Sequence, residues 1–107
     1  MKTSKSYLFM TFVVVAIIFI SGCKKGTVDA NSLYTPTDAD ITASATLLEL
    51  QQGRTLYINK CGSCHGLYSP DAYAPSQWNS IMSSMAPKSN LSSSENQLIS
   101  KYVSRGR

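Results

Sequence analysis

Five consecutive residues, Cys61-Gly62-Ser63-Cys64-His65, restrict this chain more than any other stretch. On one helical turn the two cysteines stand at i and i+3, on the same side. Two thiols so placed reach the two vinyl groups along one edge of a porphyrin and form thioethers with them. His65, at i+4 from Cys61, then lies beneath the ring as an iron ligand. Cys-x-x-Cys-His is the attachment pattern of a c-type haem, and a proximal His is the ligation it predicts. The motif occurs once, so one haem c is expected per chain.

Three other uses of the cysteines compete with this one. A thioredoxin-like dithiol belongs in a βαβ setting, but no strand-like alternation surrounds Cys61 and too little chain remains for a parallel sheet. For a zinc site, Cys64 and His65 are adjacent and point apart, and no second Cys/His pair completes a tetrahedron. A plain disulfide beside a chance His is the third. The haem reading is preferred to all three.

The N-terminus reads as an export signal rather than as fold. Lys2 and Lys5 form a basic start, and Leu8 to Ile20 is an apolar run broken only by Thr11. That run is shorter than the roughly 18 residues of a membrane-spanning helix and suits a signal-peptide core. It ends in Ile20-Ser21-Gly22-Cys23. This resembles the lipobox of bacterial lipoproteins, in which the Cys is acylated and becomes the first residue of the mature chain. The resemblance implies a signal peptide over residues 1–22 and a lipid on Cys23, which gives the third cysteine its own role. Export also suits the haem, because c-type cytochromes mature outside the cytoplasmic membrane.

Cleavage before Cys23 removes Lys2 and Lys5 and leaves eight basic against six acidic residues, a balance of +2 where the whole chain has +4. So small an excess argues against nucleic acid as a partner. The length allows one domain. Domains below about 70–80 residues rarely stand on a hydrophobic core alone, and a covalently held porphyrin would serve as the staple.

Residues 23–43 are rich in Ser, Thr, Asp and Ala and show no sustained apolar period. They read as a flexible tether, about 20 residues spanning on the order of 25 Å. The folded domain is expected over 44–107. From about Ser44 the pattern is helical, with Leu47, Leu50, Gly53 and Tyr57 at steps of three, three and four leading into Cys61. Glycine inside a helix costs about 1 kcal/mol relative to Ala, so Gly53 suggests close approach by another backbone or a ring. Beyond His65, the turn around Pro70 offers carbonyls that would accept a hydrogen bond from His65 Nδ1. Trp78, Ile81, Met82 and Met85 then make one apolar stripe on a helix over Ser76 to Met85, which Pro87 is expected to end. Ser92 and Glu95 match a capping box opening a last helix. Leu98, Ile99, Tyr102 and Val103 form its buried face, and Gly106 suits its stop. The fold class is all-α, and no strand is needed.

His65 is the only histidine, so a second His cannot ligate the same iron. Haem c carriers commonly pair His with Met. Met1 and Met10 leave with the signal peptide, so the sixth ligand is Met85 or Met82. Met85, near Pro87 at the expected helix end, is favoured, and Met82 reads as packing. Trp78 either packs on the haem edge with its indole N–H on a propionate or serves only as bulk.

From about Leu47 to Val103 the chain resembles the class I c-type cytochromes. The resemblance rests on Gly53-x-x-Leu56-Tyr57 before the Cys61-x-x-Cys64-His65 motif, on Trp78 and Met85 downstream, and on a terminal helix reaching Tyr102. It implies three or four helices wrapped around one covalent haem, axial His65 and Met85, and Gly53 packed against Tyr102. Ala86 stands between Met85 and Pro87, where the family has Met and Pro adjacent.

The resulting expectation is a one-electron carrier, lipid-anchored through Cys23 with its domain on the periplasmic or extracytoplasmic side, passing electrons between redox protein partners. The alternatives are a gas-binding or sensing module with an open sixth site, and a haem subunit of a larger oxidoreductase. An enzyme such as a small peroxidase ranks below these, since no distal His is available for general acid–base work.

Overall fold

The computed structural model describes residues 26–107. The signal peptide expected over 1–22 and the acylation site at Cys23 lie outside the described residues. No helix among the described residues is long and apolar enough to cross a membrane.

Those residues form an all-α fold. Three helices carry it, α1 (Leu47–Leu56), α2 (Pro75–Lys88) and α3 (Ser93–Val103), and α1 continues as a π-helical turn, Tyr57–Cys61. Only isolated bridges, Val28 with Leu67 and Thr42 with Ala45, pair extended backbone among the described residues.

Each helix begins where its local chemistry satisfies early N–H donors. On α1, Thr46 Oγ1 accepts from the Glu49 N–H and Glu49 accepts from the Thr46 N–H, a reciprocal box. Ser92 and Glu95 do the same for α3, as expected from the sequence. On α2, Pro75 occupies the first turn and the Ala74 N–H donates to Gln77 Oε1 at 2.9 Å.

The ends of α2 and α3 share one device. Asn90 (φ 53°) follows α2 in left-handed conformation; its N–H donates to the Pro87 carbonyl, and the Leu91 N–H reaches Ala86. Arg105 (φ 53°) follows α3; its N–H donates to Tyr102, and the Gly106 N–H reaches Lys101. Both are Schellman closures. The first corrects the expected end of α2 at Met85. Pro87 lies inside the last turn, which survives because Asn90 and Leu91 satisfy the carbonyls of Pro87 and Ala86. The second places Arg105, not Gly106, at the residue just past the cap, although Gly106 is also left-handed (φ 68°).

α1 and α3 make the most extensive pairing of helices. They meet at Gly53, where an added Cβ would lie 2.8 Å from the Cβ of Tyr102 and collide with the Leu98 carbonyl. The close approach inferred for Gly53 is therefore to both a backbone and an aromatic residue. Leu50, Ile99, Tyr102 and Val103 are fully enclosed around this crossing.

The segment expected to be a flexible tether is instead part of the body from Thr27 onward. Leu33 is 3% exposed and belongs to the core. Tyr34 stacks on Tyr102 with centroids 4.8 Å apart. Arg54 donates to the carbonyls of Tyr34 and Ala30, and the Val28 N–H donates to Leu67 at 2.7 Å. Polar composition hid this because a few scattered side chains, Leu33 and Tyr34 foremost, and the backbone make the attachments.

Candidate functional site

The Cys-x-x-Cys-His stretch leaves the π-helical turn as a further turn. The N–H groups of Cys64 and His65 both point to the Cys61 carbonyl, at 3.3 and 3.5 Å. This is the helical placement the motif requires. π-turns inside helices recur at functional sites, and this one ends at Cys61. Both thiols are free: Cys61 is buried and Cys64 exposed. Burial, with Cys64 nearby, pushes the Cys61 thiol above its ordinary pKa.

His65 is exposed, and its Nδ1 lies 2.7 Å from the Gly66 carbonyl. A carbonyl only accepts, so in the neutral ring Nδ1 carries the proton and Nε2 keeps its lone pair for a metal. The partner is thus the neighbouring residue's carbonyl and not the turn at Pro70, as had been expected. The Pro70 carbonyl instead receives the Trp78 indole N–H at 2.8 Å. That bond decides between the two readings of Trp78: its donor is spent inside the protein and does not await a propionate. Trp78 is 3% exposed and forms wall rather than rim.

A cleft of about 170 Å³ opens beside the motif, lined by Cys61, His65, Trp78, Ile81, Met82 and Met85, with Tyr57, Tyr68 and Tyr73 completing it. An apolar cavity of roughly 150 Å³ already holds a benzene ring, so the cleft has room for one edge of a flat apolar group and not for the whole of a macrocycle. Cys64 stands outside this lining. The α2 stripe expected from the sequence thus faces the motif, with Met82 buried in the core and Met85 half-buried.

The aromatic walls are fixed by polar contacts at their edges. Tyr57 Oη donates to the Tyr68 carbonyl at 2.9 Å and accepts from the Tyr68 N–H at 3.0 Å. Trp78 meets Tyr57 and Tyr73 edge-on, with centroids 6.2 and 5.2 Å apart. Burial pushes the Tyr57 hydroxyl up to about 12, so it is a neutral donor at any physiological pH. Tyr68 and Tyr73 were not singled out from the sequence. The signal was two aromatic residues flanking Pro70 in the short loop between the motif and α2.

Among the described residues no group of three or more His, Cys, Asp or Glu could hold a metal ion. A porphyrin needs less from the chain: two thiols a turn apart, one imidazole with a free Nε2, a thioether, and apolar walls. The residues present fit such a group. No family model, curated protein or solved structure matches this chain.

Proposed function

We propose that the chain is a small class I c-type cytochrome, exported as a lipoprotein and anchored through Cys23, carrying single electrons between redox proteins on the extracytoplasmic side of a membrane. One observation carries this reading: Cys61 and His65 of the attachment motif share a single apolar cleft with the thioethers of Met82 and Met85. When bound, haem supplies reversible one-electron chemistry at its iron.

The chain's own residues have separate tasks. Cys61 and Cys64 hold the group covalently. His65 presents Nε2 while the Gly66 carbonyl fixes its tautomer. Met85, the less buried of the two methionines, would offer its thioether to the iron, and Met82 packs in the core. Tyr57, Tyr73 and Trp78 exclude water, and with a Met ligand an apolar surround favours a raised potential. His65 is the only imidazole, so no second one stands ready for acid–base catalysis, in keeping with a carrier rather than an enzyme.

The test is the visible spectrum of the mature protein from a host with c-type maturation machinery. A covalent low-spin haem with a ferric Met–iron charge-transfer band is expected. A high-spin spectrum that shifts readily with carbon monoxide would replace the carrier by a gas-binding module. Absence of haem would overturn the proposal.

A further inference from the structure

The expected tether is almost entirely consumed by the fold, and this determines which face of the domain an anchor on Cys23 would hold down. Thr27 lies directly on Gly66: an added Cβ there would stand 2.6 Å from Thr27 Cγ2. The next residue, Val28, donates its N–H to Leu67 at 2.7 Å and packs against the core. Further along, Arg54 grips the Ala30 and Tyr34 carbonyls. The chain is therefore pinned beside the haem motif from Thr27 onward. Four residue steps separate Cys23 from Thr27, and even a fully extended chain covers only ~3.3–3.6 Å per residue, a reach of about 14 Å.

We infer that the face formed by Thr27, Gly62, Ser63 and Gly66 lies against the lipid bilayer. This rests on the proposed acylation of Cys23. Gly62, Ser63 and Gly66 are exposed and carry no charge that contact with headgroups would have to desolvate. The charged residues nearest in sequence are Lys25, the exposed Asp29 and Lys60, and of these Lys60 is paired with Glu95 at 3.3 Å. Lys24 and Lys25 stand between the acylated residue and Thr27, where basic side chains favour an anionic leaflet. The occupant of this face is the lipid surface, and the haem motif is held at a short, fixed distance from it.

The experiment uses the full lipidated holoprotein in nanodiscs containing phosphatidylglycerol and a lipid with a gadolinium-chelate headgroup, a relaxation probe that the reductant leaves intact, followed by amide NMR in the diamagnetic ferrous form. Selective loss of the Thr27, Gly62, Ser63 and Gly66 signals is expected. A variant with about ten Gly-Ser residues inserted between Lys25 and Gly26, adding roughly 17 Å of coil, should recover those signals. Uniform broadening, or strongest loss elsewhere, in the native chain overturns the orientation. Mass spectrometry of the same sample separates the causes: a chain without diacylglyceryl on Cys23 overturns the anchor and the orientation together, whereas a lipidated chain with uniform broadening overturns the orientation alone. The absorbance spectrum reports the haem independently of either.

Discussion

Tyr34 and Tyr102 each donate a phenolic hydrogen bond to the other's backbone carbonyl, at 3.1 and 3.0 Å, with their rings stacked 11° from parallel. The two residues are 68 apart in sequence, so this pair closes the N-terminal segment onto the last helix. Desolvation is the main reason both hydroxyls titrate late, and Tyr34 is pushed up to about 12. A raised pKa stabilises the fold fully below the unfolded value of about 10, and that contribution is lost as pH rises towards 12. Tyr34→Phe should lower stability by about 1 kcal/mol at neutral pH, the typical net value of one hydrogen bond. It should also flatten the alkaline decline between about pH 10 and 12. Denaturant melts of both proteins across that range check it.

At the acid end the sign reverses. Lys101 Nζ sits 2.6 Å from Glu49, and with the Thr46 N–H it holds the Glu49 carboxyl down at about 2. Glu95 is lowered by the Ser92 N–H and by Lys60. A depressed pKa contributes stability above the unfolded value, and the contribution is lost as pH falls from about 4.5 towards 2. Both carboxylates remain in contact with solvent, so the effect is modest and salt-sensitive. Glu49→Gln should shallow the fall of the thermal midpoint in that window, and high salt should shrink the difference between the two proteins.

The two methionines of α2 should separate by readout. Met82 is 4% exposed in the core cluster, so Met82→Ala should cost about 2–5 kcal/mol through the cavity it leaves, with the ferric spectrum kept. Met85→Ala, at a half-buried position, should cost less stability while abolishing the Met–iron band and admitting carbon monoxide. If Met82→Ala removes the band instead, the ligand assignment is exchanged.

What the sequence disclosed depended on how far apart the interacting residues lie. The Ser92–Glu95 box and the apolar stripe from Trp78 to Met85 are local patterns, and both stand in the structure. Gly53 was legible as an anomaly because glycine has a cost in any helix. Leu33 and Tyr34 were hidden because their partners come from distant parts of the chain, and no window on a Ser/Thr/Asp-rich segment contains them. The persistence of α2 through Pro87 was hidden for a different reason. The proline rule concerns one dihedral preference, whereas the outcome was set by Asn90 accepting a left-handed conformation and closing the helix beyond it. The partner of the Trp78 donor stayed open because sequence cannot show that the Pro70 carbonyl lies 2.8 Å from it.

Arg105 sets a backbone cost against side-chain gains at one position. It is non-glycine at φ 53°, a conformation that costs an L-residue roughly 1–2 kcal/mol. Against that, its guanidinium makes a two-point contact with Asp71 at 2.8 and 2.5 Å, lies 3.8 Å from Asp40, and sits 3.8 Å above the Tyr34 ring. Burial is the largest single influence and opposes its charge, but the Asp71 hydrogen bonds and the charges of Asp71, Tyr34 and Asp40 together outweigh it and leave its pKa raised. These contacts join the C-terminal turn, the N-terminal segment and the Pro70 turn that holds Trp78. Arg105→Ala keeps the strain and loses every contact, whereas Arg105→Gly loses the contacts and relieves the strain. Arg105→Gly should therefore be more stable than Arg105→Ala by about 1 kcal/mol, and Arg105→Ala less stable than the native chain. Equal stabilities for the two variants would mean that the left-handed turn relaxes once the guanidinium is gone.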